Sequence, residues 1–374
     1  MPVPLSVLDL SPIVSGQTAE DALRNTLDLA RRTEEFGYRR YWVAEHHLTP
    51  GVASAAPAVL LTAIAAATST IRVGSAAVLL GQHSPLTVAE EFGTLAQLHP
   101  GRVDLGLGRS GKKRTQELAE RLTAPAESEG STVDGLVVPP KPRAVARSEK
   151  YAARLRQQAA LVGAPAEELD YREQVERVRR FVEGGFPGPD GEPVRANPAE
   201  GADLDLWILG SSGGESAVTA ADLGIPFAVS YHITPSTVLE TVRSYREHFR
   251  PSERLARPYV VVSADVVVAD TGERARELAS PYGAWVHSIR AGAGALPFPS
   301  PAEAAEFEWD AEARDVVADR LTTQFVGTPD EVADRLTTLQ RVTGADELVI
   351  TTITHQHPDR VGSYELLAKT WIGV

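Results

Sequence analysis

Val103-Asp104-Leu105-Gly106-Leu107-Gly108-Arg109-Ser110-Gly111 is the stretch on which the fold turns. It reads G-x-G-x-x-G after an apolar run, the pattern that opens a dinucleotide-binding βαβ unit. Its place in the chain argues against that unit. Three β-rich runs, residues 5–10, 41–44 and 71–80, precede it, so it closes a fourth strand rather than a first. Lys112-Lys113-Arg114 follow, where a helix packed on the sheet would need apolar residues. Arg109, at the strand end, becomes the notable residue, because a guanidinium holds phosphate in fixed bidentate geometry. An ion pair with one of the chain's many carboxylates is the plainer reading.

Outward from this strand the chain alternates. Apolar residues at Ala22, Leu23, Thr26, Leu29, Ala30 and Phe36 follow helical spacing, and Gly37 ends that helix. Further helical stretches cover 57–67 and 85–98, the second with Pro85 at a favoured early position. Beyond residue 201 come strands at 204–209, 227–230, 260–268 and 348–352. Helical sequence at 214–223, 236–249, 274–290, 302–323 and 329–342 separates them, and 361–369 closes the chain. Eight strands divided by helices mean parallel strands with crossover connections. The expected fold is therefore α/β, a (β/α)8 TIM barrel in a single domain, residues 1–374. The polar, Pro/Gly-punctuated stretch 111–201 reads as a rim insertion after strand 4, with helical pieces at 115–122 and 171–183.

Composition removes whole classes of function. Cysteine is absent, which excludes disulfides, thiolate metal clusters and a cysteine nucleophile. The 374 residues carry 37 Lys+Arg against 50 Asp+Glu, a net charge of −13 that repels nucleic-acid backbones. The apolar run at the start is broken by Asp9 and Pro12, and the Ala-rich run 53–67 is too short to span a bilayer of about 20 residues. No membrane or nucleic-acid partner is expected, and the location expected is cytoplasmic.

Barrel enzymes carry their chemistry at the C-terminal strand ends. The second strand ends in Ala44-Glu45-His46-His47, a carboxylate beside two imidazoles that titrate near neutrality. One structural and one solvent-facing histidine is the plainer alternative. Small residues in Val73-Gly74-Ser75-Ala76-Ala77-Val78 leave room for a flat ring, or simply pack tightly. The fifth strand runs into Gly210-Ser211-Ser212-Gly213-Gly214-Glu215-Ser216. There Ser212 and Glu215 match a capping box, and the glycines open the helix N-terminus to an anion. His355-Gln356-His357 has the form of a metal pair, but no matching ligand spacing elsewhere supports a metal, and none is expected.

In order and spacing these stretches resemble the bacterial luciferase-like flavin-dependent monooxygenase superfamily. The resemblance rests on residues 38–47, 71–80, 83–90 (His83-Ser84-Pro85-Leu86-Thr87-Val88-Ala89-Glu90), 100–109, 207–212 and 220–226, with Gly327-Thr328-Pro329 late in the chain. It implies a barrel that binds reduced FMN (FMNH2), activates O2 and oxygenates a small organic substrate such as an aldehyde, a ketone or an aromatic or polyketide-like compound. It implies His46 as the catalytic histidine, with Glu45 helping to fix the flavin site. Ala76 and Ala77 fall where the family holds a non-prolyl cis peptide under the ring. Arg109 would clamp the phosphate, within a cradle of Ser212, Gly213, Gly214 and Ser216. A separate flavin reductase and a homodimer are also implied. The light-emitting relatives carry a cysteine where this chain has Gly108, so light emission is not implied. A deazaflavin-dependent hydride transferase and a non-catalytic flavin binder are the alternatives within the superfamily. The stretch 111–201, or the Gly/Ala-rich loop 290–301, has the composition of a lid.

Overall fold

The computed structural model describes residues 2–110, 129–140, 153, 157, 161 and 169–373. The helical piece read at 115–122 lies outside them. Eight strand positions close into a ring with every pairing parallel. Their order is β1 (Leu5–Asp9), β2 (Arg40–Val43), β3 (Arg72–Ser75) with its continuation β4 (Val78–Leu79), then β5 (Val103–Gly108). After β5 come two small antiparallel pairs, β6 (Ser131–Val133) with β7 (Leu136–Val138) and β8 (Phe186–Pro187) with β9 (Pro193–Val194). The ring resumes with β10 (Leu204–Gly210), β11 (Phe227–Ser230), β12 (Val260–Val268) and β14 (Glu347–Thr351), which returns to β1. The fold is thus the (β/α)8 barrel read from the alternation. The strands are buried on both faces; all nine residues of β12 are buried, as parallel barrel strands require.

The first three crossover helices are α1 (Ala19–Glu35), α2 (Pro57–Ala67) and α3 (Pro85–Leu98). Thr18 caps α1 in a reciprocal box with Asp21, and Ala22, Thr26, Leu29 and Ala30 form its buried stripe. Helix α4 (Tyr171–Glu183) falls within 111–201, yet it packs against α3 and against α5 (Glu215–Asp222). It therefore occupies the crossover position between β5 and β10. Helix α6 (Val238–His248) follows β11. Among the described residues no helix is long and apolar enough to cross a membrane.

Three stretches read as continuous are broken. The third strand parts at Ala76–Ala77, whose peptide bond is cis. The helix read over 274–290 divides at Pro281 into α7 (Gly272–Ala279) and α8 (Tyr282–Arg290), because proline cannot donate within a helix. The helix read over 302–323 divides into α9 (Pro301–Ala305) and α10 (Ala311–Thr323), where Asp310 caps the second piece anew. The strand β13 (Phe325–Gly327) escaped the sequence reading; it pairs with the outer half of β12, at Val266–Val268. Helices α11 (Pro329–Thr343) and α12 (His357–Trp371) complete the shell.

The N-terminal end of the barrel is closed by charge rather than by apolar packing. Asp104 is fully buried and accepts from Arg40 Nη1 at 2.9 and 2.8 Å, Arg72 Nη2 at 2.7 Å and Trp42 Nε1 at 2.9 Å. Arg40 also reaches Glu347 at 3.1 Å, and Glu347 accepts from Ser6 and Tyr259. Such a set is tolerable without water only because every charge is paired and hydrogen-bonded. Its consequence is positional: the floor is filled, so a ligand enters from the opposite, C-terminal end.

Candidate active site

At that end a cavity of about 390 Å³ is lined by residues from the ends of β2, β3, β5, β10 and β11. Glu45, His46, Ala76, Ala77, Arg109, Ser212 and Ser216 all line it. Gly213 and Gly214 do not. Gly213 faces α6, where Ser244 Oγ donates to its carbonyl at 2.7 Å, and Gly214 is the N-cap residue of α5. The capping box read between Ser212 and Glu215 is not formed. Glu215 instead pairs with Arg109, Nη1 to Oε2 at 2.8 Å, because a guanidinium offers a carboxylate more than a serine backbone does. A larger cavity, about 600 Å³, opens at the plugged end between Arg39, Arg179, Arg254 and Tyr259. It lies away from the strand ends that bear chemistry in this fold.

Glu45 is buried and its two oxygens serve different elements. Oε2 accepts the Leu79 backbone N–H at 2.7 Å, fixing the chain just after the cis bond. Oε1 lies 2.6 Å from His47 Nε2 and 2.7 Å from His83 Nε2. Burial raises the carboxyl pKa, but the His83 contact, the Leu79 N–H and the His47 contact together hold it below its usual range. His83 is raised above 6.5 chiefly by its bond to Glu45. His47 appears in the sequence as one of the two imidazoles beside Glu45, with only His46 assigned a role, and His83 was not singled out. The ligand atoms of Glu45, His47 and His83 lie within 4.8 Å of one another and form the metal-competent set among the described residues. His355 and His357 form no such set: His355 contacts Ser15, and His357 contacts Asp28 at 2.9 Å.

His46 donates its backbone N–H to Ser54 O at 2.8 Å, which orients the residue toward the cavity. Across the cavity stands His232, buried, its Nδ1 on Ser263 Oγ. Burial, Arg320 and His46 push His232 down to about 3, so it is neutral at ordinary pH. The wall at the cis bond is small-sided: a Cβ on Gly108 would come within 3.0 Å of the Ala77 Cβ. The loop 290–301 is stapled down, with Gly51 N–H donating to Ala295 O at 2.7 Å, Phe298 N–H to Ile13 O at 2.8 Å, and Phe298 fully buried.

Known proteins match this arrangement along the whole chain. The sequence is 36% identical over 97% of its length to a luciferase-like monooxygenase of Escherichia coli K12, covering 96% of that protein. It is 31% identical to the N-acetyl-S-alkylcysteine monooxygenase of Bacillus subtilis, over 97% of both chains. Among solved structures, apo-MsnO8 superposes with a TM-score of 0.76 at 30% identity, over 99% of this chain and 98% of that one. More distantly, an FMN-bound Baeyer-Villiger oxygenating component from Pseudomonas putida (TM-score 0.63, 16%) and an F420-dependent alcohol dehydrogenase (0.61, 15%) share the fold, each over 99% of this chain, and over 98% and 99% of their own. The luciferase-like monooxygenase family matches residues 4–347. The chain belongs to the luciferase-like monooxygenase family.

Proposed function

We propose that this protein is an FMNH2-dependent monooxygenase that oxygenates a small organic substrate. The observation that carries the reading is one cavity whose lining combines the Arg109 guanidinium, the small-sided wall of Ala76, Ala77 and Gly108, and His46. That set of features suits a phosphate, an isoalloxazine ring and a reacting centre. Reduced FMN, when bound, supplies the two electrons with which one atom of O2 enters the substrate and the other leaves as water.

The chain's own residues do the rest. Arg109 takes the phosphate, sharing its guanidinium between that anion and Glu215, while Ser212 and Ser216 add hydroxyl donors. Ala76, Ala77 and Gly108 admit the ring because nothing larger stands in its place. Glu45 fixes that wall through Leu79. His46 accepts or returns a proton at the reacting centre, the role a neutral imidazole fills near pH 7. The apolar walls keep water from the reduced ring. No second nucleotide site is proposed in this chain, so electrons come from a separate reductase. A homodimer belongs to the same proposal, as the resemblance implies. The reductase and this protein work together in the cytoplasm on this proposal.

The test is anaerobic titration with FMNH2, followed by its absorbance and by protein fluorescence. Saturable binding of FMNH2, tighter than reduced riboflavin, is expected. Absence of binding at millimolar flavin overturns the reading.

A further inference from the structure

The far end of the same cavity contains a charge that flavin binding does not use. Arg320, on α10, is 9% exposed and lines the cavity. Its Nε donates to Tyr282 Oη at 3.0 Å, and its Nη2 reaches Asp265 Oδ2 at 3.2 Å and Tyr282 Oη at 2.5 Å. One edge of the guanidinium is thus held from behind by a phenol and a carboxylate. Nη1 makes no hydrogen bond among the described residues and is left for the cavity. Nη1 is not among the buried atoms that lack a partner, so it stands open to the cavity that Arg320 lines. Asp265 shares its Oδ2 between Arg320 and the Tyr282 hydroxyl. The walls on either side are apolar, from Trp285 and Ile289 on α8. His232 nearby is neutral, and Asp319, the second carboxylate acting on Arg320, is held by both Nη atoms of Arg290.

We infer that this end of the cavity receives a carboxylate-bearing substrate, its anionic group on Arg320 and its apolar body along Trp285 and Ile289. The inference rests on the monooxygenase reading for its meaning as a substrate site, but not for its test. A carboxylate adds to a guanidinium hydrogen bond the attraction of a full negative charge that an amide oxygen lacks, about tenfold in affinity. Tyr282 and Asp265 act as positioning residues, holding the guanidinium so that its free edge faces inward.

The experiment measures hexanoate and hexanamide binding to the full chain by calorimetry, with and without FMN. Wild type is expected to favour hexanoate by about tenfold. Arg320→Gln is expected to abolish that preference while binding flavin as wild type does. Arg320→Lys, which keeps a cation for Asp265, serves where the glutamine variant does not fold, and is expected to lower the preference. Equal affinities in wild type overturn the inference. So does a preference undiminished in Arg320→Gln, or undiminished in Arg320→Lys, which assigns the carboxylate to Arg109. Hexanoate selectivity in a protein that binds no flavin would sink the monooxygenase reading alone.

Discussion

Arg72 offers a controlled experiment in burial. Its Nη2 lies 2.7 Å from Asp104 and 2.6 Å from Asp205, and its Nε adds a second bond to Asp104 at 3.0 Å. The Asp104 side chain is 0% exposed and the Asp205 side chain 52%. Asp104→Asn removes the charge that Arg40 and Arg72 both face, leaving Arg40 to Glu347 alone. Breaking such a buried set costs about 3–5 kcal/mol, because a buried charge loses its partner. Asp205→Asn loses an exposed contact, worth at most about 1 kcal/mol. For 374 residues the unfolding entropy is about 0.8 kcal/mol per kelvin, so 1 kcal/mol moves the midpoint by about 1.3 °C. Asp104→Asn should therefore melt about 4–6 °C lower and Asp205→Asn within about 1 °C of wild type. Scanning calorimetry at neutral pH in 0.15 M salt reads both. Equal shifts in the two variants would refute the claim that the closed barrel end is a desolvated charge network.

Three further outcomes follow from the site. His83 should titrate above 6.5 by NMR, and Glu45→Gln should bring it down toward 6.5; a wild-type midpoint below 6.5 contradicts the contact. The sign for stability is set by both partners. The raised His83 contributes below 6.5 and loses its contribution as pH rises through its folded value, whereas the lowered Glu45 contributes above 4.5 and loses it as pH falls through its own. Stability from this contact is thus greatest between those limits, and a denaturation midpoint that rises steadily above pH 7 through it would count against the pairing. Arg109→Ala should weaken FMN roughly ten- to a hundredfold and leave riboflavin unchanged; equal weakening of both removes the phosphate role. His46→Ala should bind flavin normally but lose turnover about 10²–10⁴-fold, the range of a general acid–base group; wild-type turnover takes His46 out of the chemistry.

The barrel was legible because its strands are short apolar runs at regular intervals, and the glycine motif at Gly106–Gly111 placed itself by its rank among them. Breaks within elements were less legible. Pro281 divides a helix whose apolar spacing continues across it, and Ala76–Ala77 interrupts a strand without any change in residue type. At the site, the residues at strand ends were readable since the fold brings all such ends to one rim. Gly213 and Gly214 were not, because which way a backbone faces depends on where α5 begins, and a glycine pair gives no sign of it. The floor network was invisible for a different reason. Arg40, Asp104 and Glu347 stand 64 and 307 residues apart in sequence, and a lone charge in an apolar run gives no sign of its partner. Arg320 was hidden likewise, as one charge in the helix 311–323, whose face is decided by Tyr282 and Asp265.

The central claim is that the cavity holds reduced flavin and lets O2 react there. The direct measurement is stopped-flow mixing of the anaerobic FMNH2 complex with O2, following flavin absorbance and oxygen uptake. Flavin reoxidation that consumes O2 on a time course distinct from free FMNH2, and that changes in His46→Ala, is the predicted result. Reoxidation that cannot be told from free FMNH2 in buffer would contradict it, as would an enzyme that passes hydride to an acceptor and consumes no O2.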